Sequence, residues 1–180
     1  MKKILLSIIL LAVFGMSNAQ TDQGDWMIGG NFRLIASDNN TVIGLTPNAG
    51  IFIINNLALG GNLDLVYSKL GDRKTTDFGI GPLLRYYFTK ANVRPILHGS
   101  LNFTSEKVKI TNGASTTNNG INYFLGGGVA IFVSDQVSLD LLMGYYHSKL
   151  KDFDGSGGFA LSIGFQVYLL QRQMDKVRGR

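Results

Sequence analysis

The sequence predicts an all-β fold, a transmembrane antiparallel up-and-down barrel of eight strands. Three observations predict it. Apolar residues alternate with polar or small ones in stretch after stretch, the period a strand imposes because successive side chains point to opposite faces. Each stretch runs to about a dozen residues, long for a globular strand but right for one crossing a bilayer at a tilt near 45°. Apart from strand ends, one face of every stretch is apolar and uncharged, while the other collects the glycines, asparagines and ionisable groups.

The first strand, Trp26 to Ser37, sets Trp26, Ile28, Phe32 and Leu34 against Asn31 and Arg33. The second, Thr41 to Ile54, sets Ile43, Leu45, Ile51 and Ile53 against Gly44, Asn48 and Gly50. The third, Leu57 to Lys69, reads LALGGNLDLVYSK, with Leu57, Leu59, Leu63, Leu65 and Tyr67 on one face and Gly60, Asn62 and Asp64 on the other. In the fourth, Thr76 to Phe88, Phe78, Ile80, Leu84 and Tyr86 oppose Asp77, Gly79, Gly81 and Arg85. The fifth, Val93 to Ser105, opposes Leu97, Leu101 and Phe103 to His98, Ser100 and Asn102. The sixth, Asn119 to Val133, has Ile121, Tyr123, Leu125 and Val129 against Asn122, Gly126 and Gly128. In the seventh, Val137 to Ser148, Leu139, Leu141 and Met143 stand against Asp140 and Gly144. The eighth, Gly157 to Leu170, ends the series with Phe159, Leu161, Ile163, Phe165 and Val167 against Ser162, Gly164 and Gln166.

Volume decides which face looks inward. The interior of an eight-stranded barrel is just wide enough for side chains to fill, so the full set of Leu, Ile and Phe side chains cannot fit within it, whereas glycine and small polar residues can. The leucines therefore face lipid and Asp64 is enclosed. A two-sheet sandwich would leave Gly-rich faces in water and gives no reason for an uncharged band. The aromatics agree, because rings gather at bilayer interfaces: Tyr67, Phe78, Phe103, Tyr123, Tyr145 and Phe159 fall near one end, and Trp26, Tyr86 and Phe88 near the other. Asn55-Asn56, Thr89 to Asn92 and Ser134 to Gln136 are tight turns, and Leu70 to Thr75, Glu106 to Thr117 and Lys149 to Ser156 read as longer polar loops. Pro47 and Pro82 cannot donate ladder hydrogen bonds, which predicts local bulges.

The chain opens with Lys2 and Lys3, an apolar run from Ile4 to Gly15 and a small-residue site at Ser17 to Ala19, the pattern of a secretory signal peptide over residues 1–19. Cleavage there would leave 161 of 180 residues, a barrel over 20–170 and a short basic periplasmic tail over 171–180. The loss of two lysines lowers the formal charge from +5 to +3. With no cysteine there is no disulfide framework, thiolate metal site or Cys nucleophile.

Over essentially the whole mature sequence the chain resembles the eight-stranded outer-membrane barrels of Gram-negative bacteria, the OmpA-like class. The resemblance is sharpest at GPLLRYYF and in the last strand, SIGFQVYL, where Ser162, Gly164, Val167 and Leu169 resemble the signal read by the barrel assembly machinery. The Ala19-Gln20 junction resembles those of Bacteroidetes-type exported proteins. Ten residues follow Leu170, whereas members of the family commonly end on an aromatic residue closing the last strand.

The chemistry-bearing residues fall into two groups. Inside, counting from the tight-turn end places Arg33 level with Asp64, and Arg85 level with Asp140 and His98, which predicts two ionic layers. His98, Ser100 and Asp140 are the residue types of a nucleophilic triad, but no nucleophile motif surrounds any serine, and a structural polar core is the favoured reading. At the loops, Lys69, Arg73, Lys74, Lys107, Lys109, Lys149 and Lys151 form a basic rim, a candidate contact for lipopolysaccharide phosphates since each lysine near an anionic surface contributes about 1 kcal/mol. Nucleic-acid binding lacks interleaved aromatics on a soluble face, the glycines at 126–128 precede no helix, and two histidines with dispersed carboxylates predict no metal. The expectation is an integral outer-membrane monomer without cofactor or catalysis, termini in the periplasm. Inward Phe52, Leu83, Tyr87, Phe124, Leu142 and Tyr168 close it to large solutes. The alternatives are a lipid-modifying enzyme on the same barrel or a secreted soluble ligand-binding barrel.

Overall fold

A computed structural model describes residues 21–37, 40–71, 73–110, 115–151 and 154–170. The expected signal peptide and basic tail lie outside these residues. The strands are β1 (Trp26–Ser37), β2 (Asn40–Ile54), β3 (Leu57–Leu70), β4 (Arg73–Tyr87), β5 (Val93–Ile110), β6 (Ser115–Ser134), β7 (Val137–Leu150) and β8 (Ser156–Leu169). Each pairs antiparallel with its sequence neighbours, and β8 returns to β1 to close the barrel. Closure matters physically because a sheet edge in hydrocarbon would leave backbone amides and carbonyls without partners.

The faces sort as their residues demand. Leu63 and Leu65 are 37 % and 39 % exposed, whereas Asp64 between them is 6 % exposed. The exposed apolar band continues through Ile80, Leu101, Leu125, Leu141 and Ile163. At the tight-turn end the band finishes in Tyr86 and Phe88, packed edge to face with centroids 5.0 Å apart. At the loop end Tyr123 and His147 stack at 5.1 Å, so His147 joins the aromatic belt.

Three expectations are corrected. The strands at the loop end run further than the alternation suggested: β5 continues to Ile110 and β6 begins at Ser115, so most of the expected loop from Glu106 to Thr117 is paired strand. Likewise β3 and β4 are separated only by residues 71 and 72, and β4 already includes Arg73. The reason is that ladder hydrogen bonds need no apolar outer face, so pairing persists where lysines and threonines replace the apolar residues on the outward parity. Pro47 and Pro82 cause no bulge: Gly30 faces Pro47 and Gly61 faces Pro82, and on their other sides the pairing lapses at Thr46-Pro47 and at Gly81-Pro82 without a change of register. The register shifts instead between Phe52 and Ile54 and between Phe132 and Ser134, beside the tight turns Asn55-Asn56 and Asp135-Gln136. Asn56 has φ 67°, a left-handed conformation that Asn tolerates better than most residues.

Candidate functional site

Three levels of the lumen and one stretch of outer wall carry the side chains of interest. At the tight-turn end the lumen is filled by Met27, Phe52, Tyr87, Ile96, Phe132 and Tyr168, each at most 7 % exposed. These come from inward positions of β1, β2, β4, β5, β6 and β8, so the plug ties together most of the wall. Beneath it, residues 21–25 fold across the opening. Gly24 donates its backbone N–H to Phe52 O and Asn56 donates to Thr21 O. Arg94 holds this segment: its Nη1 donates to Thr21 Oγ1 at 2.9 Å, its Nε to Ala91 O at 2.9 Å, and its guanidinium lies 4.2 Å from the Phe132 ring centroid. Arg94 was not singled out from the sequence, although its even-numbered position on β5 shares the inward face of His98.

Arg94→Ala is expected to leave the barrel closed but release residues 21–25, so that brief proteinase K treatment in detergent trims the N-terminal segment by mass spectrometry. Unchanged protection would mean that the backbone bonds of Gly24 and Asn56 suffice.

Above the plug a hydrogen-bonded chain crosses the lumen. Tyr87 and Tyr168 hydroxyls are 2.9 Å apart, and Ser138 Oγ lies 3.0 Å from the Tyr168 hydroxyl and donates to Asp140 Oδ1 at 2.7 Å. Arg85 Nη1 donates to Asp140 Oδ2 at 2.5 Å, and Arg85 Nε donates to His98 Nδ1 at 3.2 Å. Arg85 and Asp140 are both fully buried. The structure therefore brings Arg85, His98 and Asp140 together. It does not build a triad from His98, Ser100 and Asp140, because Asp140 is engaged by Arg85 and Ser138, and the His98 nitrogen that a carboxylate would orient faces Arg85 instead.

The upper charged layer is different from the expectation. Asp64 accepts a hydrogen bond from Thr46 Oγ1 at 2.9 Å, while Arg33 lies over the Tyr146 ring, 5.6 Å from its centroid. No ion pair joins Arg33 to Asp64 among the described residues. Register explains the miss: Asn31 faces Thr46 and Arg33 faces Gly44, so the residue that Asp64 touches on β2 leads to Asn31, one inward position short of Arg33. Counting along strands ignored this stagger.

Between the two layers Asn48, Asn62, Asn102 and Asn122, each 5 or 6 % exposed, face a cavity of about 70 Å³ that Asp64, Ser100 and Ser162 also line. Ligand sites for metabolites or drugs are several times larger, so this space suits a few water-sized groups. Its width is set partly by Phe124, whose ring packs 5.8 Å from His98 and lies over the facing glycines of β6 and β7. A Cβ at Gly126 or Gly144 would stand 2.7 or 2.8 Å from Phe124 Cζ, closer than such atoms approach.

On the outside, the loop-end lysines separate into two groups. Lys69 faces Lys74 across β3 and β4, Lys74 faces Lys109 across β4 and β5, and Lys107 faces Thr76 and Thr117. All four are exposed and share the lipid-facing parity of Tyr67, Phe78 and Phe103. Lys74, Lys107 and Lys109 border a groove of about 550 Å³. Lys149, which faces Ile121, and Lys151 stand apart on and beyond β7. Arg73 is opposite Leu70 and Ile110 in the register. On β8, Ser162 lines the cavity, Gly164 faces Asn31 and Asp140, Val167 faces Ile28 and Val137, and Leu169 faces Trp26 at the seam with β1.

Comparison with known proteins gives the same architecture. The barrel is similar to neisserial surface protein A at 22 % identity, with a TM-score of 0.56 over 79 % of this chain and 94 % of that one. It is also similar to the N-terminal β-barrel domain of Pseudomonas aeruginosa OprF at 14 % identity, TM-score 0.55, over 82 % and 98 % of the two chains. The attachment invasion locus protein Ail of Yersinia pestis matches at 13 % identity, TM-score 0.52, over 82 % and 99 %. No curated protein matches the chain. The family model for the outer membrane protein beta-barrel domain matches residues 6–170, and with the closed eight-stranded ring and its lipid-facing band the chain belongs to that family of integral outer-membrane barrels.

Proposed function

We propose that this protein is a closed, non-catalytic barrel whose work is done by its wall and its outward rim, in a structural or surface-interaction role. The observation that carries the reading is the sealed lumen. An aromatic plug, a strap of residues 21–25 and the hydrogen-bonded chain from Tyr87 to His98 lie in series across the passage. A barrel built to pass large solutes would not tie its walls together through fully buried side chains. The ring of eight paired strands supports a monomer, since no edge remains for a second copy to extend. The tight turns and the two ends of the strand series, Trp26 and Leu169, face the periplasm and the longer strands project outward, as short periplasmic turns and longer extracellular extensions do in such barrels. The last strand, with Ser162, Gly164, Val167 and Leu169, is what the assembly machinery reads during insertion.

Single-channel recording in planar bilayers tests the reading. The wild-type protein is expected to show no large, stable conductance, whereas Phe52→Ala with Tyr87→Ala and Tyr168→Ala, which removes three of the six plug side chains, is expected to raise ion flux. A large, steady wild-type conductance would overturn the closed-barrel assignment.

A further inference from the structure

The lysines on the wall of β3, β4 and β5 present a physical problem that the rest of the barrel does not explain. Like charges directly opposite one another across a strand pair are destabilising, and adjacent strands are only about 4.8 Å apart. Yet Lys69, Lys74 and Lys109 occupy successive facing positions, with Lys107 one outward position lower on β5. None of the four forms an ion pair with another described residue. At the opposite end of the barrel the exposed Lys90 is paired with Asp22 at 2.6 Å. The groove beside these lysines has Tyr67 and Phe78 of the aromatic belt at its base and the hydroxyls of Thr76 and Thr117 on its sides.

We propose that Lys74, Lys107 and Lys109, flanked by Lys69, clamp the phosphates of a multiply phosphorylated glycolipid of the outer leaflet against the barrel wall. The inference rests on the reading above for which end of the barrel faces outward. Height supplies the first argument: a belt of Tyr and Phe marks the interface between hydrocarbon and headgroups, and the lysines stand immediately beyond it, on the side wall and not at a loop tip. A soluble partner would have to displace lipid to reach this face, whereas a headgroup already lies there. Charge supplies the second. Several ammonium groups on a short arc match a headgroup with more than one phosphate, each lysine acting as a point charge with three donors. The groove supplies the third, because threonine hydroxyls between the lysines can donate to phosphate or sugar oxygens while the rings pack against the apolar sugar faces or the first carbons of the acyl chains.

The test is titration of the folded full chain, in neutral detergent, with a bisphosphorylated diglucosamine lipid, read by native mass spectrometry. Lys74→Gln with Lys107→Gln and Lys109→Gln is expected to weaken binding at least about tenfold, and Lys→Arg at the same three positions to retain it. Lys149→Gln with Lys151→Gln, which removes charge from the same end of the barrel, is expected to change it by less than about twofold. Excess inorganic phosphate is expected not to displace the lipid. Equal losses in the two glutamine sets would mean undirected charge attraction, no loss in either would mean that the groove is empty, and displacement by inorganic phosphate would mean a simple anion site; each of these overturns the proposal. Because the readout is binding, its failure is separate from any failure of the closed-lumen reading, which is measured by conductance.

Discussion

Arg85→Met alone is expected to lower barrel stability by about 3 to 5 kcal/mol, and Arg85→Met combined with Asp140→Leu to recover much of that loss. The expectation follows from burial. Both side chains are fully excluded from solvent, and Asp140 meets Arg85 on one oxygen and Ser138 on the other. Removing the guanidinium leaves a carboxylate in a narrow lumen with a single hydroxyl donor, and leaves His98 Nδ1 without the N–H it accepts. Removing both charges replaces the pair by apolar volume beside Leu83 and Leu142, each 2 % exposed. Desolvation of a buried pair offsets most of its Coulomb attraction, so the intact pair and an apolar substitute are close in free energy while a half-pair is not. Urea unfolding in lipid vesicles, run as a double-mutant cycle, measures the coupling. Single losses that simply add would mean that Arg85 and Asp140 do not act as a pair.

Leu63→Arg is expected to cost about 2 to 4 kcal/mol in the same assay, against about 0 to 1 kcal/mol for Tyr67→Arg. Leu63 is 37 % exposed on the outer wall, and its neighbour across β4 is the exposed Ile80. Along β3 it lies between Leu57, which faces Tyr86 of the lower aromatic belt, and Tyr67 of the upper one. An arginine at Leu63 must therefore bring its charge to the middle of the hydrocarbon, whereas at Tyr67 the same charge reaches the headgroups. A depth dependence of this kind is a property of a lipid-facing wall. In a soluble barrel both positions would meet water, and the two substitutions would differ little.

The strands and their faces are legible in the residues of each strand alone. Leucine at 63 and 65 with aspartate at 64 settles which way each side chain points, because the period of two is local and no distant residue can alter it. The same parity, with a simple count from the turns, put Arg85, His98 and Asp140 at one height, and these side chains touch in the structure. Other features depended on how strands are staggered against one another. The count that served the lower layer failed for Arg33 and Asp64, since the hydrogen-bonded register carries Asp64 through Thr46 toward Asn31. Pairing of β5 and β6 to Ile110 and Ser115 was invisible because Val108 and Ile110 fall on the parity opposite to the apolar band and residues 115–118 are polar on both parities, so the apolar-outward pattern stops although the ladder continues. The strap of residues 21–25 under Arg94 joins groups 73 residues apart, and the row of Lys69, Lys74 and Lys109 is a row only because three strands align those positions. Side-chain direction is written in each strand's own residues. Height around the barrel is set by backbone bonds between strands, and these form only when the whole sheet closes.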